Sequence, residues 1–321
     1  MPPTPTCIKC GGRAVYTRAY SGERLCRDCF TASIVEKTRR TISRYGMLKH
    51  GDRIAVAVSG GKDSLSLLQV LSEISVDHGS TLSAVMVDEG IEGYRDEAVA
   101  LTKTFTSSIG VELRILSFRE LFDHPLDDAL RLRGNRKVSS CSICGVLRRR
   151  AIDMAARQVG ANVIATGHNL DDILQTFLIN QLNGDLERIR WIHPAYTGAS
   201  EFGLRRIKPF AELYEVEIAF YAFLQDLTFQ GVRCPHSDEG IRSEIRNFLN
   251  ALETKHPGVK YSMLRSALGI AQDLPLHEKE VRRCPSCGNP CSGSICSVCR
   301  TLTLLSPEAT PAGLREQAAP L

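Results

Sequence analysis

The chain has 321 residues, 43% hydrophobic and 24% charged, with a net charge of +4. That length suffices for one α/β core of ordinary size with small appendages. No stretch approaches about 18 consecutive apolar residues, which excludes a membrane-spanning helix and any membrane partner that needs one. The opening MPPTPTCIKC has no basic segment followed by an apolar one, so a secretory signal is not expected and a cytoplasmic protein is. A charge of +4 says little about partners; a nucleic-acid reading has to rest on where the cations sit.

Twelve cysteines are more informative, because ten of them fall in Cys-x-x-Cys pairs. In a reducing compartment that pattern points to metals rather than disulfides. The first two pairs, Cys7 with Cys10 and Cys26 with Cys29, are separated by 15 residues. This spacing lets two tight knuckles offer four thiolates to one tetrahedral zinc, in an N-terminal module over 1–31. A linking helix is expected over 32–51, from the spacing of apolar residues in IVEKTRRTISRYGML.

The main domain is expected over 52–235. RIAVAVS (53–59) is a short, nearly continuous apolar run, the pattern of a buried parallel strand. KDSLSLLQVLSEI has helical periodicity, and LSAVMV (strand), YRDEAVALTKTFTSSIG (helix), VELRIL (strand), VLRRRAIDMAARQVG (helix) and NVIATG (strand) follow in order. Such alternation predicts a doubly wound parallel sheet with helices on both faces. Residues 205–275 read as mainly helical, with a helical extension over 236–280. A second four-cysteine zinc module, Cys284, Cys287, Cys296 and Cys299, is expected over 281–302, with eight residues between its pairs and Cys291 as a spare. The Ala- and Pro-rich end, 303–321, is expected to be a disordered tail.

The first strand runs into SGGKDS and then into a helix. Ser59, Gly60 and Gly61 let the backbone turn tightly with its N–H groups close to an anion, and the helix N-terminus adds partial positive charge. Lys62 supplies a full charge and Ser64 a hydroxyl donor. A Walker A loop is excluded, since Asp63 follows the lysine. The segment resembles the PP-loop of ATP pyrophosphatases, which split ATP into pyrophosphate and an adenylated substrate. VDEGIEGYR (87–95) and ATGHNLDD (165–172) follow the second and fourth strands, at the carboxyl ends where open α/β sheets place ligands. The resemblance makes these the remaining walls of an ATP pocket, with Asp88, Gly167 and Asp172 among its residues.

Cys141 and Cys144 have no neighbouring pair, and Cys234 is the one other cysteine outside the terminal modules. Three thiolates suit a [4Fe–4S] cluster with one iron left open. The alternatives are a persulfide resolved by thiol–disulfide exchange, or three inert buried cysteines. The run from Arg131 to Arg150 holds seven Arg or Lys residues and no acid, placed to hold RNA phosphates near this chemistry. RIRWIHP (188–194) and LRRIKPF (204–210) are candidates to extend the track, and Trp191 is a candidate to stack on a base or simply to pack.

A PP-loop, an internal Cys-x-x-Cys, a later Cys-Pro and flanking zinc modules together resemble the tRNA 2-thiouridine synthetases of the TtuA/TtcA family. The two modules point to the TtuA-like, cytoplasmic tRNA 2-thiolation branch. The resemblance spans about residues 5–300. It implies ATP with Mg2+, a [4Fe–4S] cluster on Cys141, Cys144 and Cys234, two zinc ions, tRNA as substrate and a ubiquitin-like sulfur-carrier thiocarboxylate as donor; a homodimer is compatible with it. Lys62 and Asp63 would then serve the adenylation of a uridine C2 oxygen, and the three cysteines the insertion of sulfur at C2. Whether the uridine lies in the anticodon or the T-loop stays open. So do two rivals: another PP-loop enzyme (an amidotransferase synthetase or lysidine-forming ligase), and a non-catalytic zinc-ribbon RNA-binding protein.

Overall fold

The computed structural model describes residues 5–133, 138–196, 203–236, 241–274 and 282–305. At the N-terminus β1 (Tyr16–Thr17) pairs antiparallel with β2 (Arg24–Leu25), and α1 (Arg27–Arg44) starts at once behind them. Next come β3 (Arg53–Val58), α2 (Lys62–Asp77), β4 (Thr81–Asp88), α3 (Arg95–Ser108) and β5 (Glu112–Ser117). Two short helices, α4 (Phe118–Phe122) and α5 (Leu126–Arg133), lead to α6 (Ser140–Gln158), β6 (Val163–Thr166), α7 (Leu170–Leu182) and α8 (Leu186–Ile189). Then β7 (Ala195–Tyr196), β8 (Arg205–Ile207), α9 (Glu215–Leu224), α10 (Arg242–Lys255) and α11 (Val259–Asp273) precede a small C-terminal unit of β9 (Arg282–Arg283), β10 (Pro290–Cys291) and α12 (Ser297–Leu305).

The central sheet has the order β5-β4-β3-β6-β8-β7. Its first five strands run parallel, and β7 lies antiparallel to β8 at the edge. In β3 alternate residues face opposite ways: Ile54, Val56 and Val58 pack toward α1, α2 and α9, while Ala55 packs toward α6 and α12. Both faces are covered, so the doubly wound expectation holds, and the central strands β3, β4 and β6 are largely apolar. Strand order reverses between β3 and β6, which opens a crevice at their carboxyl ends. A third apolar cluster is shared by α7, α10 and α11.

One local expectation changes. Helix α6 begins at Ser140, ahead of the expected Val146, because the Ser139 side chain caps it by accepting from Ser142 N at 3.2 Å. Cys141 and Cys144 are therefore helical. Residues 205–275 are mainly helical, as expected, with α9, α10 and α11, and within them β8 joins the sheet beside β6. Helices α1 and α12 run across the positions 31/32 and 302/303, and residues 306–321 of the expected tail lie outside the described residues.

The N-terminal unit is tied to the core through one buried acid. Glu217 on α9, with no exposed surface, receives Arg18 Nε at 2.6 Å, Lys37 Nζ at 3.0 Å and the Tyr20 hydroxyl at 3.0 Å. Burial works against its ionised form, yet Lys37 and Arg18 outweigh that and hold its pKa below the ordinary glutamate value. A carboxylate shifted this way stabilises the fold above the ordinary glutamate pKa, and that stabilisation is lost as pH falls through the folded value. Glu217→Ala takes the shared carboxylate from Lys37 and from the buried Arg18, which keeps Glu23 at 2.8 Å, and is expected to cost about 3 kcal/mol in urea unfolding at neutral pH. The difference from wild type should narrow in acid.

Candidate active site

Strand β3 delivers the SGGKDS loop to the mouth of the crevice. Gly60 has φ +83°, and a Cβ there would lie 2.8 Å from the Ala98 Cβ of α3, so only glycine fits. Gly61 caps α2 without a side-chain acceptor, leaving the first N–H groups of the helix available to an anion. Internal bonds hold the loop's shape: Ser59 N donates to Ser64 Oγ at 3.0 Å, and the Ser64 hydroxyl donates to Gly61 O at 3.0 Å. Across the crevice, at the end of β6, a Cβ on Gly167 would meet the Asp63 carbonyl carbon at 3.0 Å. The two loops touch through bare backbone.

The charged groups of the loop have partners that its sequence did not reveal. Lys62 Nζ lies 2.9 Å from Asp63 Oδ2 and 2.8 Å from Glu215 Oε1 on α9. Asp63 also accepts from Asn169 Nδ2 at 3.2 Å, and Asn169 in turn caps α7 in a reciprocal box with Asp172. Asp171 accepts from the Glu215 amide at 2.8 Å and from the buried Lys260 ammonium of α11, so the helical extension braces the nucleotide loop. Burial, together with the negative charge of Asp63, pushes Asp172 up to about 6. Two carboxylates that repel each other this way form a natural seat for a divalent cation. Asp88 ends β4 and accepts from Gly90 N at 2.9 Å, shaping its own turn.

The three internal cysteines approach one another from two segments. Cys141 is exposed in the first turn of α6, Cys144 is buried one turn on, and Cys234 is half-buried in the segment after α9. Cys234 lies near enough to feel the charge of both: burial, with Cys141 adding to it, pushes its thiol up, and burial with Cys234 does the same for Cys144. Among the described residues, the sets of candidate ligand atoms lying within 4.8 Å of one another are the two terminal quartets. A single tetrahedral zinc needs sulfurs about 3.8 Å apart, from its bond length of about 2.3 Å. The internal trio is spread wider, and with only three thiols it fits a polynuclear cluster better than one ion.

Arg148, one turn beyond Cys144, donates to the Cys144 sulfur at 2.8 Å and contacts Glu89 Oε1 at 2.8 Å. Glu89 is 5% exposed, and its other oxygen lies 2.7 Å from Arg95 Nε. Arg95 donates to the Ser59 carbonyl at 3.0 Å. The nucleotide loop and the cysteine site are thus joined by three side chains. Glu89 and Arg95 sit inside VDEGIEGYR, but nothing in that string marks their partners.

Each terminal quartet closes as expected. Cys7, Cys10, Cys26 and Cys29 converge, with Cys26 serving also as the N-cap of α1. Cys284, Cys287, Cys296 and Cys299 converge in a fully buried set, and Cys291 stays outside it, bonding Gly293 O at 3.2 Å. Such four-thiol sets fit zinc.

The expected basic track is only partly a surface. Arg150 is buried, and Arg148 turns inward to Glu89 and Cys144. Arg205 pairs with Asp52, Arg206 with Asp153, and Lys208 donates to the Trp191 and His193 carbonyls. Burial lowers Lys208 to about 7. Trp191 packs beneath Arg149, with Cζ 5.6 Å from the ring centre. Arg136 and Lys137 lie outside the described residues.

Because its pKa is raised, Asp172 favours the folded chain at low pH, and that advantage disappears as pH rises through about 6. Asp172→Asn keeps an oxygen for the capping box. It is expected to raise the urea midpoint of the metal-free chain at about pH 7.5 and leave it unchanged at about pH 4. Equal gains at both pH values would mean that the buried charge of Asp172 is not the cause.

With this geometry in hand, the comparisons with known proteins are specific. A family described as the PP-loop domain matches residues 32–253, and the N-terminal LIM domain of the 2-thiouridine synthetase TtuA matches residues 6–31. The chain is 36% identical to cytoplasmic tRNA 2-thiolation protein 1 of Chlamydomonas reinhardtii over 93% of its own length and 84% of the relative's. It is 34% identical to a probable sulfurtransferase of Methanocaldococcus jannaschii, over 92% and 87%. Its fold matches the U34-tRNA thiolase NcsA of Methanococcus maripaludis, solved with its [4Fe–4S] cluster, with a TM-score of 0.81, 31% identity and coverage of 94% and 96%. The loop, the cysteines and these matches agree: the chain belongs to the TtuA-type tRNA thiolases of the PP-loop family.

Proposed function

We propose that this protein is an ATP-dependent tRNA sulfurtransferase of the cytoplasm that converts the wobble uridine of tRNA to 2-thiouridine. The observation that carries this reading is the short bridge from Ser59 through Arg95, Glu89 and Arg148 to Cys144, which links the loop read as phosphate-binding to one of the three cysteines. The name of the thiolase of similar fold supports position 34.

A uridine C2 carbonyl resists direct exchange because its oxygen leaves poorly. Its O2 attacks the α-phosphate of ATP, the bond to pyrophosphate breaks, and an adenylated base forms. The N–H groups at the start of α2, with Lys62 released from Glu215, neutralise the departing pyrophosphate. Asp63 and Asp172 would hold Mg2+ at the phosphates. Hydrosulfide then attacks C2, the C2–O bond breaks, AMP leaves with that oxygen, and the proton on sulfur passes to solvent. A [4Fe–4S] cluster on Cys141, Cys144 and Cys234 would supply an iron free of protein ligands at which that sulfide can be held. The sulfide would come from a ubiquitin-like thiocarboxylate. Zinc in the two quartets would hold α1 and α12 in place rather than take part in the chemistry.

Two variants separate the half-reactions. Lys62→Ala is expected to lower tRNA-dependent pyrophosphate release by about 10²-fold. Cys144→Ala should abolish 2-thiouridine in digested tRNA while pyrophosphate release persists. Full thiolation by Cys144→Ala, Cys141→Ala and Cys234→Ala alike would remove the sulfur role and leave a different PP-loop reaction. Iron retained by Cys234→Ala, with thiolation lost, would favour a persulfide route instead.

A further inference from the structure

We propose that Glu89 is a positioning residue that couples nucleotide occupancy to the sulfur ligand at Cys144, acting through Arg95 on one side and Arg148 on the other. The inference rests on the reading of Cys144 as a cluster ligand.

Glu89 is a buried carboxylate shared between two guanidinium groups, with one oxygen for each: Oε2 to Arg95 at 2.7 Å and Oε1 to Arg148 at 2.8 Å. Glu89 and Arg95 are both buried, so parting them would strand charge and they move together, with Arg148 held to their outer side by the second oxygen. Arg95 is itself buried and grips the peptide at the root of the nucleotide loop, donating to the carbonyls of Ser59 and Val87. Ser59 is also the residue whose N–H and hydroxyl engage Ser64, so its peptide turns with the loop. At the far end Arg148 donates to the Cys144 sulfur at 2.8 Å. Hydrogen bonds to thiolate sulfur stabilise the electron-rich reduced state of an iron–sulfur cluster and raise its potential. A triphosphate that shifts the Ser59 peptide therefore changes the donor at Cys144. By linkage, the oxidation state of the cluster must change nucleotide affinity by the matching factor. The consequence for the reaction is order: the sulfur site is tuned once ATP is in place.

The test uses the full chain loaded anaerobically with iron and sulfide. The cluster's midpoint potential and the EPR spectrum of its reduced form are recorded with and without a saturating non-hydrolysable ATP analogue. Analogue affinity is measured for both oxidation states. In wild type the analogue is expected to shift the potential, and its affinity should differ between oxidised and reduced protein by the corresponding factor. In Glu89→Gln and Arg148→Met the iron content and analogue binding should persist while the shift disappears. Arg148→Met should also have a lower potential without nucleotide. Should Glu89→Gln fail to fold, Arg148→Met carries the test, since that side chain is 47% exposed and its loss leaves the Glu89–Arg95 contact standing. An unchanged potential in wild type, or a full shift in a variant that keeps its iron, overturns the coupling while leaving the thiolase reading intact. A wild-type chain that binds no iron overturns the cluster reading first, and the coupling with it.

Discussion

The nucleotide crevice depends on a contact that no side chain can occupy. At Gly167 the end of β6 presses its backbone against the Asp63 peptide, and at Gly60 the loop presses against Ala98. The first contact follows from parallel strands whose order reverses between β3 and β6, bringing two loops to one point, and the second seats the loop on α3. Everything that acts on phosphate hangs from that meeting: the N–H groups of α2, the Asp63 carboxylate and the Asn169–Asp172 cap. Any larger residue at Gly167 would drive the two halves of the crevice apart.

Around that point, the chain handles buried charge the same way twice. Glu217 sits between Arg18 and Lys37, and Glu89 between Arg95 and Arg148. A lone buried carboxylate would be protonated or expelled, whereas one shared by two cations is held rigidly in place. The first arrangement is architectural, clamping the N-terminal unit to α9. The second lies between loop and cysteines, where rigidity links two pieces of chemistry.

Contiguous chemistry was legible in the sequence, and assembled chemistry was not. SGGKDS could be read because a phosphate loop needs its glycines, lysine and hydroxyl in one short string, and the quartets because knuckle geometry sets Cys-x-x-Cys spacing. The strands β3, β4 and β6 were visible as apolar runs. The start of α6 was hidden, since SSCSICG shows no helical periodicity and only the Ser139 cap marks it. Strand β8 is too short, at Arg205–Ile207, to show a pattern, and its arginines resemble a phosphate track until Asp52 and Asp153 appear beside them. The partners of Lys62 and Glu89 come from distant segments, and a single sequence shows no pairing across such separations.

Trp191 is the chain's one tryptophan, and it lies under the Arg149 guanidinium, next in line to Arg148 on the helix that carries Cys141 and Cys144. A cation held over an indole face shifts the energy of its excited state, so the emission of this ring reports where that helix stands. The protein therefore contains its own fluorophore at the border between the sulfur site and the α8–β7 segment. Stopped-flow light could follow events there in real time, with no label attached and no second indole to confuse the signal.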